Sequence, residues 1–235
     1  MPKYILNKKF TTRCHRSDRV LEIAEAFGLG LEEKEFVVFD NLELDVKKGD
    51  IVYFTGQSGS GKSQGLKELE AQMRAEGQNV INLDSIYLDE TKTLIDQIGR
   101  DTNDALRILS IAGLNDAYLY IRKPQELSDG QRYRFRLAKA IETQADVWVA
   151  DEFMAVLDRT AAKVIAYSIQ KTARKTKTTV IVATTHTDMV QDLDPDLYIE
   201  KAYREKLRIE VRERLAASDE PMSRDALYET LVRVM

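Results

Sequence analysis

The stretch Gly56-Gln57-Ser58-Gly59-Ser60-Gly61-Lys62-Ser63 limits the folds open to this chain more than any other. It fits the pattern G-x-x-x-x-G-K-[ST], whose glycines let successive backbone N–H groups converge on phosphates. Its setting carries equal weight. Ile51–Thr55 is a short apolar run that reads as a buried strand, and Ser63–Ala75 reads as a helix. A strand, a glycine loop and a helix in that order place the loop amides and the positive end of the helix dipole on one anion. Lys62 is predicted to reach the β- and γ-phosphates, and Ser63 to hold Mg²⁺ through its hydroxyl. A chance glycine-rich turn is the competing reading, and this strand–loop–helix context counts against it.

Other segments extend the same architecture. Glu35–Phe39 and Leu42–Val46 read as two strands, Lys47–Asp50 as a turn, and Asn79–Leu83 as a strand. Residues 93–145 read as helical, with Asp104–Ala112 at helical spacing before Gly113, and Ser128–Ile141 as an Arg-rich helix. Val147–Ala150 and Val180–Ala183 are apolar runs of the kind found in central parallel strands, joined by a helix over Thr160–Lys175. The expected fold is α/β: a mostly parallel sheet with helices on both faces, an antiparallel β part and a small helical insertion. Asp151 follows an apolar strand, where ligands bind in open α/β sheets, so its carboxylate is a candidate for Mg²⁺. The adjacent Glu152 suits the polarising of an attacking water. Alone, an Asp-Glu pair would be a solvated strand end.

Composition bounds the partners. The chain has 235 residues, 43% hydrophobic and 31% charged, which suits one large domain or a domain with a small appendage. Net charge is −4, so a nucleic-acid role would need a local basic patch. The single cysteine, Cys14, excludes an internal disulfide framework and suits a reducing compartment. No apolar run approaches the roughly 20 residues that span a bilayer, and the N-terminus lacks the apolar stretch of a signal peptide. A cytoplasmic chain without direct membrane insertion is the expectation.

Further motifs follow in a fixed order: Leu127-Ser128-Asp129-Gly130-Gln131, then Val147–Glu152, then Ala155-Val156-Leu157-Asp158, then Thr184-Thr185-His186. With the phosphate loop, this set resembles the ATP-binding cassette (ABC) ATPase domain, over about residues 27–200. The resemblance implies a P-loop NTPase of the ABC type that binds ATP and Mg²⁺. It assigns Lys62, Glu152 and His186 to catalysis, with His186 sensing the γ-phosphate. Ser128, Asp129, Gly130 and Gln131 resemble the signature LSGGQ, which caps ATP held by the opposite subunit. The same residues also form a plain capping box, Ser128 with Gln131, and the two readings are compatible. Asp129 departs from the usual glycine and brings negative charge toward a phosphate. Asp158 looks like the D-loop aspartate at a dimer interface. Gln97 is the candidate for the glutamine that joins the metal to the helical insertion, beside the reading of a helix-surface residue. Phe27 is the candidate for stacking on adenine, while Phe36 and Phe39 read as core.

Three units follow from this reading: a basic N-terminal extension over 1–26, the ATPase domain over 27–200 with its insertion near 93–145, and a C-terminal helical appendage over 201–235. The last contains a short helix capped by Ser223 and an apolar row of Leu227, Leu231 and Val234. The interval from Gln97 to Ser128 is short, so the insertion where transporter cassettes dock their membrane partner is small. The chain is similar to soluble ABC modules that stand alone or are fused to acetyltransferase-like domains. The implied function is an ATPase working as an ATP-dependent homodimer, whose closure drives an unidentified protein partner. Two rivals are a transporter's ATPase subunit and a nucleic-acid-linked ATPase; a third is an adaptor that binds ATP and hardly turns it over. For the nucleic-acid reading, Lys3, Lys8, Lys9, Arg13, Arg16 and Arg19 crowd the N-terminus. Arg159, Lys163, Lys171 and Arg174 recur near helical spacing, as a solvated face would also show.

Overall fold

The computed structural model describes residues 3–201 and 207–211. Strand β1 (Lys3–Thr12) runs antiparallel to β2 (Lys34–Asp45), with helix α1 (Asp18–Phe27) between them. Strand β3 (Ile51–Thr55) leads through the glycine loop into α2 (Lys62–Ala75), and β4 (Val80–Asn82) follows. The helical insertion comprises α3 (Thr102–Ile111), α4 (Ala117–Tyr120) and α5 (Asp129–Thr143). Then come β5 (Val147–Ala150), α6 (Arg159–Thr176), β6 (Thr179–Ala183), α7 (Val190–Leu193), β7 (Leu197–Glu200) and β8 (Arg208–Val211).

Six strands form the main sheet in the order β4-β5-β6-β3-β7-β8. All neighbours pair parallel except β8, which pairs antiparallel with β7. Burial explains why the central strands are apolar throughout: every residue of β3, β5 and β6 is covered on both faces. Alternation along β3 divides the core. Ile51 and Tyr53 join Trp148, Val180 and Val182 under α5 and α6. Val52 and Phe54 join Leu66, Leu69 and Met73 of α2, together with Tyr4, Leu6 and Phe39. The chain is thus a layered α/β fold, with the two-stranded β1–β2 sheet closing one side of α2.

Several expectations change here. Residues 35–39 and 42–46 are one strand rather than two, because Asn41 takes φ 46° and keeps the strand continuous through an irregular register. The boundary expected near residue 27 does not set β1 apart. Tyr4 and Leu6 are fully buried, and Tyr4 Oη donates to Glu76 at 2.7 Å, so β1 is part of the body. Within the segment expected as a C-terminal helical appendage, Arg208–Val211 is β8, an edge strand of the sheet. The predicted helix capped by Ser223 lies outside the described residues. Phe36 is 36% exposed and pairs with Phe10 across the β1–β2 sheet, so only Phe39 of that pair is core.

Five of the ten basic residues expected to face nucleic acid are engaged in ion pairs. Across β1 and β2, Lys3 pairs with Glu43 and Lys9 with Glu35, and Arg13 pairs with Glu33 just beyond β1. Arg159 Nε donates to Asp188 at 2.9 Å. Arg174 donates to Asp196 Oδ2 and to the Asp194 carbonyl, each at 2.6 Å. Acidic neighbours from other elements therefore dilute both patches.

Candidate nucleotide site

The phosphate loop leaves the carboxyl end of β3, Asp151 leaves that of β5, and Thr184 leaves that of β6, the strand between them. Ligands bind open parallel sheets at this edge. A cleft of about 590 Å³ opens there, within the size range of small-molecule sites. Its lining includes Ser58, Gly59, Gly61, Lys62, Ser63, Asp151 and Glu152.

Two glycines show why the loop takes its path. Gly56 has φ 136°, and a Cβ there would stand 1.9 Å from the Lys201 carbonyl oxygen. Gly61 has φ 98°, and its Cβ would stand 2.2 Å from Val38 Cγ1. A side chain at either position would clash and strain the backbone. Lys62 is 9% exposed, and its Nζ donates to the carbonyls of Gly56 at 2.8 Å and Gln57 at 2.7 Å. Burial pushes the Lys62 ammonium below its ordinary value, while Asp151 and Glu152 pull it back up. The cation is thus held inside the loop by the loop's own carbonyls. Ser60 is buried within the same loop.

Ser63 Oγ donates to Asp151 Oδ1 at 2.9 Å. This brings together two hard oxygen donors, a hydroxyl and a carboxylate, from the two motifs. Mg²⁺ uses one or two protein oxygens and completes its shell with water and substrate phosphates, and the donor set fits that chemistry. Glu152 is exposed, lines the cleft and has φ 47°. Its N–H donates to Asp151 Oδ1 at 3.0 Å. Asp84, just beyond β4, accepts the Asp151 N–H at 2.8 Å. Burial pushes the Asp84 carboxyl up, opposed first by that N–H and then by the Arg136 charge.

The other expected residues fall outside the cleft. His186 follows Thr184 and Thr185, which do line it, but its own ring does not. Its backbone is held on both sides, with the N–H on Thr184 Oγ1 at 3.2 Å and the carbonyl accepting from Tyr53 Oη at 2.7 Å. Gln97 accepts the Asp89 N–H on its side chain at 3.0 Å and donates to the carbonyls of Asp89 and Lys92, pinning its own loop. Phe27 ends α1, is 72% exposed and does not line the cleft. The aromatic that lines the cleft is Phe10 of β1, 41% exposed, with Lys8 Nζ 5.5 Å from its ring centroid. Phe10 is missed in the sequence because the long segment before β2 moves it far from the loop along the chain. The signal available was the alternation of Tyr4 and Leu6 in the Lys3–Thr12 run.

Ser128, Asp129, Gly130 and Gln131 lie apart from this cleft, at the exposed start of α5. Ser128 Oγ accepts the Gln131 N–H at 3.3 Å, and Gln131 Oε1 accepts the Ser128 N–H at 3.0 Å, forming a reciprocal cap. Asp158 caps α6 by accepting the Ala161 N–H at 2.9 Å, two residues after Val156, which is 81% exposed.

Comparison with known proteins agrees with this geometry. Residues 39–155 match the family model described as ABC transporter. The methionine import ATP-binding protein MetN of Clostridium tetani is 27% identical over 197 residues, covering 66% of this chain and 59% of that protein. The energy-coupling factor transporter ATP-binding protein EcfA1 of Clostridioides difficile is 26% identical over 207 residues, covering 72% and 73%. The chain spans about three-fifths of the length of the MetN relatives it matches. Among solved structures, the ATP-binding cassette MJ0796, dimeric and bound to ADP and Pi, superposes with a TM-score of 0.61 at 17% identity. It covers 91% of this chain and 100% of that one, a likeness of fold. The fold and site are those of a P-loop ATPase domain. The family match over residues 39–155, the relatives and the fold likeness all make the chain similar to an ABC ATPase domain.

Proposed function

We propose that this chain binds Mg-ATP at the cleft and hydrolyses it between two copies arranged head to tail, with closure and opening driving a partner. The observation that carries the reading is the 2.9 Å contact of Ser63 Oγ with Asp151 Oδ1 in a cleft also lined by Lys62 and Glu152. On binding, Lys62 exchanges the Gly56 and Gln57 carbonyls for the β- and γ-phosphates. Amides of the loop and of the first turn of α2 take the remaining phosphate charge. Ser63 and Asp151 would hold Mg²⁺, which supplies neutralisation of charge between the phosphates. Glu152 takes the proton of the attacking water. His186, one residue past the lining, moves its ring toward the γ-phosphate when the site closes. Ser128, which is exposed, and Gly130 stand at a helix start, where they would face the cleft of a second copy.

The relatives are named as import or transporter ATP-binding proteins, which favours a membrane permease over nucleic acid as the partner. Among the described residues no helix is long and apolar enough to cross a membrane. The engaged Arg159 and Arg174 weigh against a phosphate-backbone contact along α6.

Glu152→Gln is the test. It should retain ATP affinity and slow turnover by about 10²–10⁴. Lys62→Ala, measured beside it by calorimetry, should lose ATP binding. Wild-type turnover in Glu152→Gln would remove Glu152 as the base.

A further inference from the structure

Three successive amides follow β5, and each has an acceptor. Asp151 N–H donates to Asp84 Oδ2 at 2.8 Å, Glu152 N–H to Asp151 Oδ1 at 3.0 Å, and Phe153 N–H to the Ala183 carbonyl at 2.8 Å. Between the first and last of these, Glu152 turns into the left-handed region at φ 47°. A non-glycine residue keeps such a conformation only where its surroundings enforce it. Phe153, 1% exposed, anchors the far side of the turn against β6. Asp84 anchors the near side, and it comes from the 3-10 turn that follows β4.

The arm that delivers this carboxylate is well braced. Asn82 of β4 pairs in register with Val149 of β5. Asn82 Oδ1 accepts the Asp84 N–H at 2.9 Å, and Leu83, 1% exposed, fixes the 3-10 turn Leu83–Ser85 in the core. Asp84 is not among the residues lining the cleft. Its influence there runs through the Asp151 peptide.

We propose that Asp84 is a positioning residue for hydrolysis: by holding the Asp151 N–H it sets the backbone turn that aims Glu152 at the attacking water. The inference rests on Glu152 as the base. Misplacing a catalytic group by about 1 Å can cost 10²-fold in rate, so a small change at this acceptor should show in turnover. It should not show in ATP affinity, which the phosphate loop and Lys62 set.

Two conservative variants separate geometry from charge. Asp84→Asn keeps a side-chain oxygen at the same reach and removes the charge. Asp84→Glu keeps the charge and moves the oxygens by one methylene. The proposal expects kcat of Asp84→Asn within about threefold of wild type and kcat of Asp84→Glu lower by roughly 10- to 100-fold, with ATP affinity unchanged in both. In a Glu152→Gln background, Asp84→Glu should add less than about twofold, because both changes act through one group. The proposal is overturned if Asp84→Asn loses as much turnover as Asp84→Glu, or if neither loses any. Affinity falling in step with kcat overturns it as well, since that marks a merely structural role. Wild-type turnover in Glu152→Gln alone removes both readings. A slow Glu152→Gln beside fully active Asp84 variants removes only this one.

Discussion

Phe10 and Phe27 separate position in sequence from position in space. The resemblance to the ABC family picks Phe27 for adenine stacking, because it is the aromatic upstream of the loop at a family-like interval. In the fold, Phe27 ends α1 and stands in solvent, whereas Phe10 lines the cleft beside Gly61 and Lys62. The intervening segment, including α1, lengthens the chain between β1 and β2 without moving β1 away from the site. Stacking of a base on an aromatic ring contributes about 1–3 kcal/mol. Phe10→Ala should therefore weaken ATP binding by roughly 5- to 150-fold while leaving saturated kcat nearly unchanged, and Phe27→Ala should change neither. Calorimetry with ATP, repeated with inorganic triphosphate, checks both. Equal loss of triphosphate affinity would show that Phe10 supports the loop rather than the base.

Helix α6 decides its own charges. Read along the chain, Arg159, Lys163, Lys171 and Arg174 form a basic stripe. In the structure its two ends are committed. Arg159 braces the segment after β6 through Asp188, and Arg174 reaches Asp196, a carboxylate only 5% exposed that also accepts the Ile51 N–H at 2.7 Å. Arg174 thereby ties the end of α6 to the start of β3, the strand that carries the phosphate loop. Removing one partner of a buried ion pair costs about 3–5 kcal/mol. Arg174→Ala should lower the Tm clearly, and Lys171→Ala should leave it within a degree or two. The pairing also bears on nucleic-acid tests: lost binding after reversing Arg174 would report a weakened fold. Lys163 and Lys171 are the informative positions in α6 for that question.

At the scale of the whole molecule, one chain presents a cleft and, elsewhere, an exposed capped helix start. The reciprocal cap fixes the first turn of α5, with Ser128 and Asp129 exposed. A second copy could bring them to the γ-phosphate. Ser128→Arg should leave ATP affinity of the monomer intact, block closure and lower turnover. In a Glu152→Gln background, light scattering with ATP should show a dimer that Ser128→Arg abolishes. A dimer that persists in the double variant would leave the motif as a helix cap alone. Asp129 beside it implies weaker capping of a phosphate than a glycine would give, through charge repulsion.

What the linear chain carries by itself is local in origin. A phosphate loop needs an apolar strand before it, glycines within it and a helix after it. All three are neighbours in sequence, so Gly56–Ser63 and its α/β setting were legible. So was the Ser128–Gln131 cap, which is satisfied within four consecutive residues. Asp151 and Glu152 were legible because a carboxylate after an apolar run marks the carboxyl edge of a sheet. Long-range pairing decided the rest. Phe10 reaches the cleft only because β1 pairs with β2, and Asp84 meets Asp151 only because β4 lies beside β5. The hydrogen bonds of Gln97 to residues 89–92 leave no trace in residue spacing either. Two charges of the basic stripe of α6, Arg159 and Arg174, pair with Asp188 and Asp196, partners that sequence separation hides. Backbone chemistry repeats along a chain and can be read from it, but partners brought together by a sheet are chosen by the register of strands distant in sequence.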